Sequence, residues 1–190
     1  MQITEKVACF IARTKWEDMP TQGINTAKEA MLDCLGCILL GTTQKSGQII
    51  VDYLRDVGAK PQGTVIGNKM RTAYDLAALA NGIAAHAEDY DDISLAMLGH
   101  PSAPIFPATL ATGEMVGASG KEIIEAYIIG FEVGTRLGLT LGFSHYDHGW
   151  HGTATTGTLA AAASAHLLKL GETQIRMALA IAASLTCGLR

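Results

Sequence analysis

Charge is scarce in this 190-residue chain: Asp, Glu, Lys and Arg make up only 17% of it, against 48% hydrophobic residues. Positive charge is the scarcer kind, with 14 Lys and Arg against 18 Asp and Glu, and the net charge of −4 gives no basic footprint for nucleic acid. Long uninterrupted apolar runs are also missing. The longest apolar region, residues 123–143, contains Glu125, Glu132 and Arg136, three charges a bilayer-spanning helix would have to bury, so no membrane span is expected. The opening MQITEKVACF lacks the charged, apolar and small-residue succession of a signal peptide. A cytoplasmic protein with reduced thiols is expected. Only four cysteines are present. Cys34 and Cys37 form a lone CxxC inside an apolar helical stretch, where a redox pair would gain no thiolate stabilisation, and Cys9 and Cys187 supply no matching pair for a metal. Buried apolar cysteines are expected. The loop GAKPQGTVIGNKM lacks the Gly-Lys-Ser/Thr ending of a phosphate loop.

What is present is helical periodicity. Ile3, Val7, Phe10 and Ile11 form one stripe, and Ile24, Ala27, Met31, Leu35 and Ile38 a second. Ile50, Leu54 and Val57 make a third, and Leu76, Leu79, Ile83 and Ala87 a fourth. Thr72 with Asp75, and Ser119 with Glu122, have the spacing of capping boxes. Helices are predicted over about 73–90 and 120–142, and two alanine-rich ones over about 154–170 and 173–188, separated by Gly171. The only strand candidate is TVIG, residues 64–67. With no strand–helix alternation, the fold class is all-α, a packed array of roughly eight helices. Gly130, Gly134, Gly138 and Gly142 recur every four residues, which predicts a second backbone in close contact with one helix face. The mean hydropathy of +0.23 agrees with extensive buried contacts.

Chemistry concentrates in two segments. In HAEDYDDISLAMLGHPS, four carboxylates crowd the predicted end of a helix, where the dipole is already negative. Sequences tend to break such local rules at functional sites. His100 then precedes Pro-Ser and a helix start marked by Pro104 and Pro107. In SHYDHGWHGTATTGT, His151 likewise precedes a helix, with Thr153 among several hydroxyls beside it. A helix N-terminus attracts anions and favours a neutral imidazole, the form a general base needs. The spacing of His145, His148 and His151, with Asp147, raises a metal site, but the glycines argue for a loop and no HExxH-type pattern is present, so no metal is expected. His166 is expected to be structural. Together, two histidines at helix starts and a carboxylate cluster suit proton transfer on a small polycarboxylate, with the acids orienting the histidines.

The run HAEDYDD, then GHPSAPIFPATLA, GWHGTATTGTLAAAASAHLLKLG and ALAIAASLTCGLR, resembles the MmgE/PrpD family in order and over essentially the whole chain, and KEAMLDCLGCILLGT fits that family's second helix. The family includes 2-methylcitrate dehydratase, cis-aconitate decarboxylase and iminodisuccinate epimerase. The resemblance implies homodimers, no metal or organic cofactor, and a large all-α domain with a smaller α+β lid, the active site lying between them. It implies catalytic roles for Asp89, His100 and His151, and substrate binding by Ser102, Thr153 and Asp92. Ile93 stands where the decarboxylase branch has threonine, and the spacer before His100 is about a residue longer, which points away from that branch. The chain also stops before a TKPLH-like segment that brings the family's site a lysine and a further histidine. Residues 1–190 are thus expected to be an N-terminal α-helical domain, incomplete relative to the family and without the lid. The expected activity is cofactor-independent lyase chemistry, dehydration or decarboxylation, on a citrate- or aconitate-like acid. The alternatives are epimerisation of an imino- or amino-dicarboxylate, or a catalytically silent assembly module or half of a split enzyme that pairs with a complementing chain.

Overall fold

A computed structural model of the chain describes residues 2–189. In order these form α1 (Ile3–Arg13), α2 (Thr21–Gly41), α3 (Lys45–Val57), a hairpin of β1 (Gly63–Val65) and β2 (Met70–Thr72), α4 (Tyr74–Ala85), α5 (Ser102–Val116), α6 (Gly120–Asp147), α7 (Gly152–Ala161) and α8 (Glu172–Leu185). Short 3₁₀ turns lie at Trp16–Asp18 and Ala162–His166. Eight α-helices and one two-stranded sheet among the described residues make the fold all-α. No helix among them is long and apolar enough to cross a membrane.

The strand expected at 64–67 starts one residue earlier and has a partner that pattern reading did not supply: Gly63, Thr64 and Val65 pair with Thr72, Arg71 and Met70. Buried Asn81 of α4 holds this hairpin, accepting from the Ile66 amide and donating to the Thr64 carbonyl, both at 2.9 Å. Thr72 is committed to the ladder, so the Thr72–Asp75 box does not form. Ala73 is the N-cap of α4, and the buried Thr72 hydroxyl has no partner. The box at Ser119 does form, with Ser119 Oγ accepting from the Glu122 amide at 3.3 Å and the Glu122 carboxylate accepting from the Ser119 amide at 2.9 Å.

The stripe expected on α4 is displaced. Its innermost face is Ala77, Ala80, Asn81 and Ala84, while Leu79 is 47% exposed. Small side chains let α4 lie close against α2 and α5, and Leu76 and Ile83 pack on a side cluster with Ile50, Val51 and Leu54 of α3. The glycine row of α6 meets another backbone at two of its four positions, Gly130 and Gly138, and side chains at Gly134. A Cβ on Gly130 would stand 3.0 Å from the Ala160 carbonyl oxygen, one on Gly134 3.0 Å from Ala160 Cβ, and one on Gly138 2.5 Å from Met97 Cα. Gly142 has open space instead; at φ 61° it kinks α6, which continues to Asp147. The alanine-rich helix expected to reach 170 ends at Ala161 and tightens into the 3₁₀ turn. There His166 bonds the Ile11 carbonyl at 2.8 Å and Glu125 at 2.6 Å, tying α1 to α6 in the structural role expected of it. Cys34 and Cys37 are buried in α2, and burial together with the charges of Asp91 and Asp92 pushes the Cys34 thiol up, away from thiolate chemistry.

Candidate active site

Helix α4 stops at Ala85, short of the expected 90, so the acidic cluster does not load a helix end. Residues 86–89 turn away from it, with Asp89 in the left-handed region at φ 51°. The following loop closes on itself: the Ser94 amide donates to the Gly99 carbonyl at 2.9 Å, and the Leu98 amide to the Ser94 carbonyl at 2.8 Å. Leu98 is left-handed at φ 56°, and Met97 is buried between the loop and the glycine face of α6. Left-handed non-glycine residues cost energy and concentrate where surroundings over-determine the backbone. Here two flank the segment that delivers His100.

Two glycines bring the histidine segments together. A Cβ on Gly99 would stand 2.7 Å from the Thr153 amide, and one on Gly152 would collide with the Leu98 carbonyl. With neither present, the backbones before α5 and α7 touch, and Thr153 Oγ1 accepts from the His100 amide at 2.9 Å. His151, the N-cap of α7, is fixed by its own amide donating to the Gly188 carbonyl at 2.8 Å. His100 and His151 consequently line one pocket of about 210 Å³, walled by Leu98, Phe143 and Tyr146. Three larger grooves lie along α6: two, of about 390 and 380 Å³, are lined by no histidine among the described residues, and the third, of about 330 Å³, is lined by His145 but by neither His100 nor His151.

A third histidine completes the cluster. His86 Nδ1 donates to Asp91 Oδ1 at 2.8 Å, and Asp91 is fully enclosed. His100 Nδ1 lies 3.4 Å from the same oxygen, and His100 Nε2 lies 3.3 Å from Asp89 Oδ1. The His86 ring centroid is 4.5 Å from that of His100 and 6.3 Å from that of His151. The bond to Asp91 raises the His86 pKa against the effect of burial. His151 moves the other way. Burial first, then the proximity of His86 and His100, lowers its pKa and favours the neutral imidazole. The arrangement can therefore present a neutral imidazole, His151, and a carboxylate-backed imidazole, His100, to one small molecule.

His86, Asp89, Asp91 and His100 each turn one ring nitrogen or carboxylate oxygen inward, and these four atoms lie within 4.8 Å of one another. The trio read from spacing does not assemble: His145 bonds Thr155 at 2.7 Å, His148 bonds the Ser144 carbonyl at 2.6 Å, and only His151 reaches the pocket.

The model of the MmgE/PrpD N-terminal domain matches residues 5–190. This chain belongs to the MmgE/PrpD family. It is 33% identical to the cis-aconitate decarboxylase of Homo sapiens over 189 residues, which are 96% of this chain and 39% of that protein. It is 30% identical to the cis-aconitate decarboxylase-like protein oryM of Aspergillus oryzae over 98% of this chain and 41% of that protein. The cis-aconitate decarboxylase of Aspergillus terreus is 29% identical, again over 98% of this chain and 40% of the relative. The chain thus spans about two-fifths of the length of these relatives.

In this MmgE/PrpD chain the three residues expected to bind substrate also make bonds within the protein. Ser102 is wholly buried, its hydroxyl donating to Asp92 Oδ2 at 2.7 Å and lying 2.6 Å from the Tyr127 hydroxyl. Asp92 also accepts from the Ser102 amide at 3.0 Å, so the first turn of α5 is already closed by the protein's own carboxylate. Burial raises the Asp92 pKa, and the two Ser102 bonds oppose that rise. Thr153 spends its oxygen on His100. These three hold the site's backbone in place. The sequence does not single out His86, and it offers Asp91 only as one of the clustered acids expected to orient a histidine. The available signal was the His-x₄-Asp spacing in HAEDYD, which carries no meaning until the turn after α4 folds it back.

Proposed function

We propose that this domain carries the proton-transfer half of a cofactor-independent lyase site for a citrate- or aconitate-like polycarboxylate. The observation that carries this reading is the convergence of His100 and His151, from two separate helix starts, on one pocket, with carboxylates behind His100 only. His151, neutral near pH 7, is the base that takes a proton next to a substrate carboxylate. His100, backed by Asp91 and Asp89, is the acid that returns one. His151, the N-cap of α7, lines the pocket, and the dipole of that helix start favours an anionic ligand. Relatives named as cis-aconitate decarboxylases support the substrate class. Return of the proton to the same carbon would give epimerisation of a dicarboxylate in place of elimination.

The rim favours completion by more polypeptide. Leu95 is 81% exposed, Ile93 71% and Phe143 69%, and among the described residues no lysine or arginine lines the pocket. A further segment, a second copy or a complementing chain would cover these side chains and bring the missing cations.

The test follows the histidine ring signals by NMR while citrate, 2-methylcitrate, cis-aconitate or aspartate is titrated into the chain. Saturable shifts at His100 and His151, lost in His100→Ala and His151→Ala, are expected for at least one tricarboxylate. A folded chain that responds to no acid would sink the proposal.

A further inference from the structure

His86 enters none of the chemistry above, yet it holds the shortest contact in the cluster. We propose that His86 is a positioning residue for His100: one enclosed carboxylate, Asp91, is shared between the two imidazoles, so that the pair holds a single proton and His86 decides when His100 carries it. The catalytic side of this role rests on the function proposed above; the sharing itself does not.

Asp91 Oδ1 is bonded to His86 at 2.8 Å and stands 3.4 Å from His100 Nδ1. Neither Asp91 Oδ2 nor His100 Nδ1 has a hydrogen-bond partner, although both are buried. An enclosed carboxylate with one bond is under-compensated, and a second imidazole stands within a small ring rotation of it. Two imidazolium rings with centroids 4.5 Å apart repel one another. One carboxylate between them balances one positive charge, so the singly protonated pair is the favoured state and the two rings titrate as a unit.

The surrounding groups keep that state distinct. Asp89 approaches His100 from the other side but is 78% exposed, so solvent screens it. Asp92, the next carboxylate, is engaged by Ser102. The Cys34 thiol beneath stays neutral. Among the described residues no carboxylate bonds His151; the charge of Asp89 favours a proton there, but burial and any charge on His86 or His100 outweigh it. The proton held by the pair therefore leaves His151 free as the base. When His100 gives the proton on Nε2 to a substrate, its ring becomes neutral and keeps the proton on Nδ1, facing Asp91. Asp91 stays anionic and bonded to His86, and no further reagent is needed.

The experiment is a pH titration of ¹⁵N-histidine-labelled chain without ligand. His86 and His100 are expected to titrate in two shared steps, each step visible at both rings. In His86→Gln, which keeps an N–H for Asp91 but cannot take up a proton, His100 is expected to titrate in one step, displaced upward from the parent curve. His145→Gln, whose ring faces Thr155, is the control and should leave His100 unmoved. Independent single steps for His86 and His100 in the parent chain, or an unmoved His100 in His86→Gln, would overturn the proposal; if the variant does not fold, the parent curves decide it alone. Adding cis-aconitate separates the two claims. Shared steps with no response to the acid refute the lyase reading and leave the shared proton standing.

Discussion

The site depends on a backbone contact that one methyl group would break, and Gly138→Ala puts that methyl group in. A Cβ at this position would lie 2.5 Å from both the Ala96 carbonyl oxygen and Met97 Cα. Ordinary contacts need roughly 3.5–4 Å, so one backbone must move by about 1 Å, and no rotamer change can absorb it. The opposing term is helix propensity, where alanine gains about 1 kcal/mol over glycine. Overpacking of a close contact costs about 1–3 kcal/mol. The net is a loss of up to about 2 kcal/mol, toward the upper end because the atoms met are backbone and Met97 is itself enclosed. Gly36→Ala on α2 is the matched control. Nothing lies within 4 Å of its added Cβ, so only the propensity gain remains, about 0.5–1 kcal/mol of stabilisation. Urea unfolding of the parent chain and both variants reads the difference directly, provided the m-values agree. Because Met97 leads through Leu98 and Gly99 to His100, the ring signal of His100 should also shift in Gly138→Ala and stay put in Gly36→Ala. Equal midpoints for the two variants would refute the claim that α6 seats the His100 loop.

Two further outcomes follow from the same contacts. Ser102→Ala removes one donor from Asp92 and leaves the Tyr127 hydroxyl without its partner; a loss of about 1–3 kcal/mol in urea unfolding is expected, and a loss below about 0.5 kcal/mol would show that the buried chain of bonds is not formed. For pH, the raised pKa of His86 means its bond to Asp91 contributes fully below the unfolded imidazole value and is lost as pH rises through the folded one. The lowered pKa of His151 acts in the opposite sense, its contribution present above the unfolded value and lost as pH falls through the folded one. Stability measured across this range should therefore decline on both sides, and His86→Gln should change the alkaline decline, which then follows His100 without its partner; an unchanged alkaline limb would contradict the pairing.

Local signals in the sequence were reliable where the chain itself supplies the partner. Ser119 and Glu122 are three residues apart and cap α6 as their spacing predicts. His100 and His151 stand directly before α5 and α7, because proline and threonine mark those starts. The same kind of signal failed at Thr72, where a ladder partner nine residues away took the residue first. It failed on α4, where alanine faces the neighbours and Leu79 faces outward, since periodicity ranks large apolar side chains above small ones when the packing distance is short.

The acidic cluster separates what a pattern can carry from what it cannot. By composition Asp89, Asp91 and Asp92 are alike, and a helix running to residue 90 would have given them similar surroundings. Ending α4 at Ala85 gives them three unlike fates. Asp89 points to solvent beside His100, Asp91 is enclosed between two imidazoles, and Asp92 caps α5 through Ser102, 10 residues on. Which carboxylate is buried depends on a turn whose left-handed residue is Asp89 itself, and on partners 5 to 10 residues away. The helix-end charge that looked like a broken rule is thus not at a helix end. Two of the acids are instead the means by which the turn after α4 is folded back and His100 is held against it.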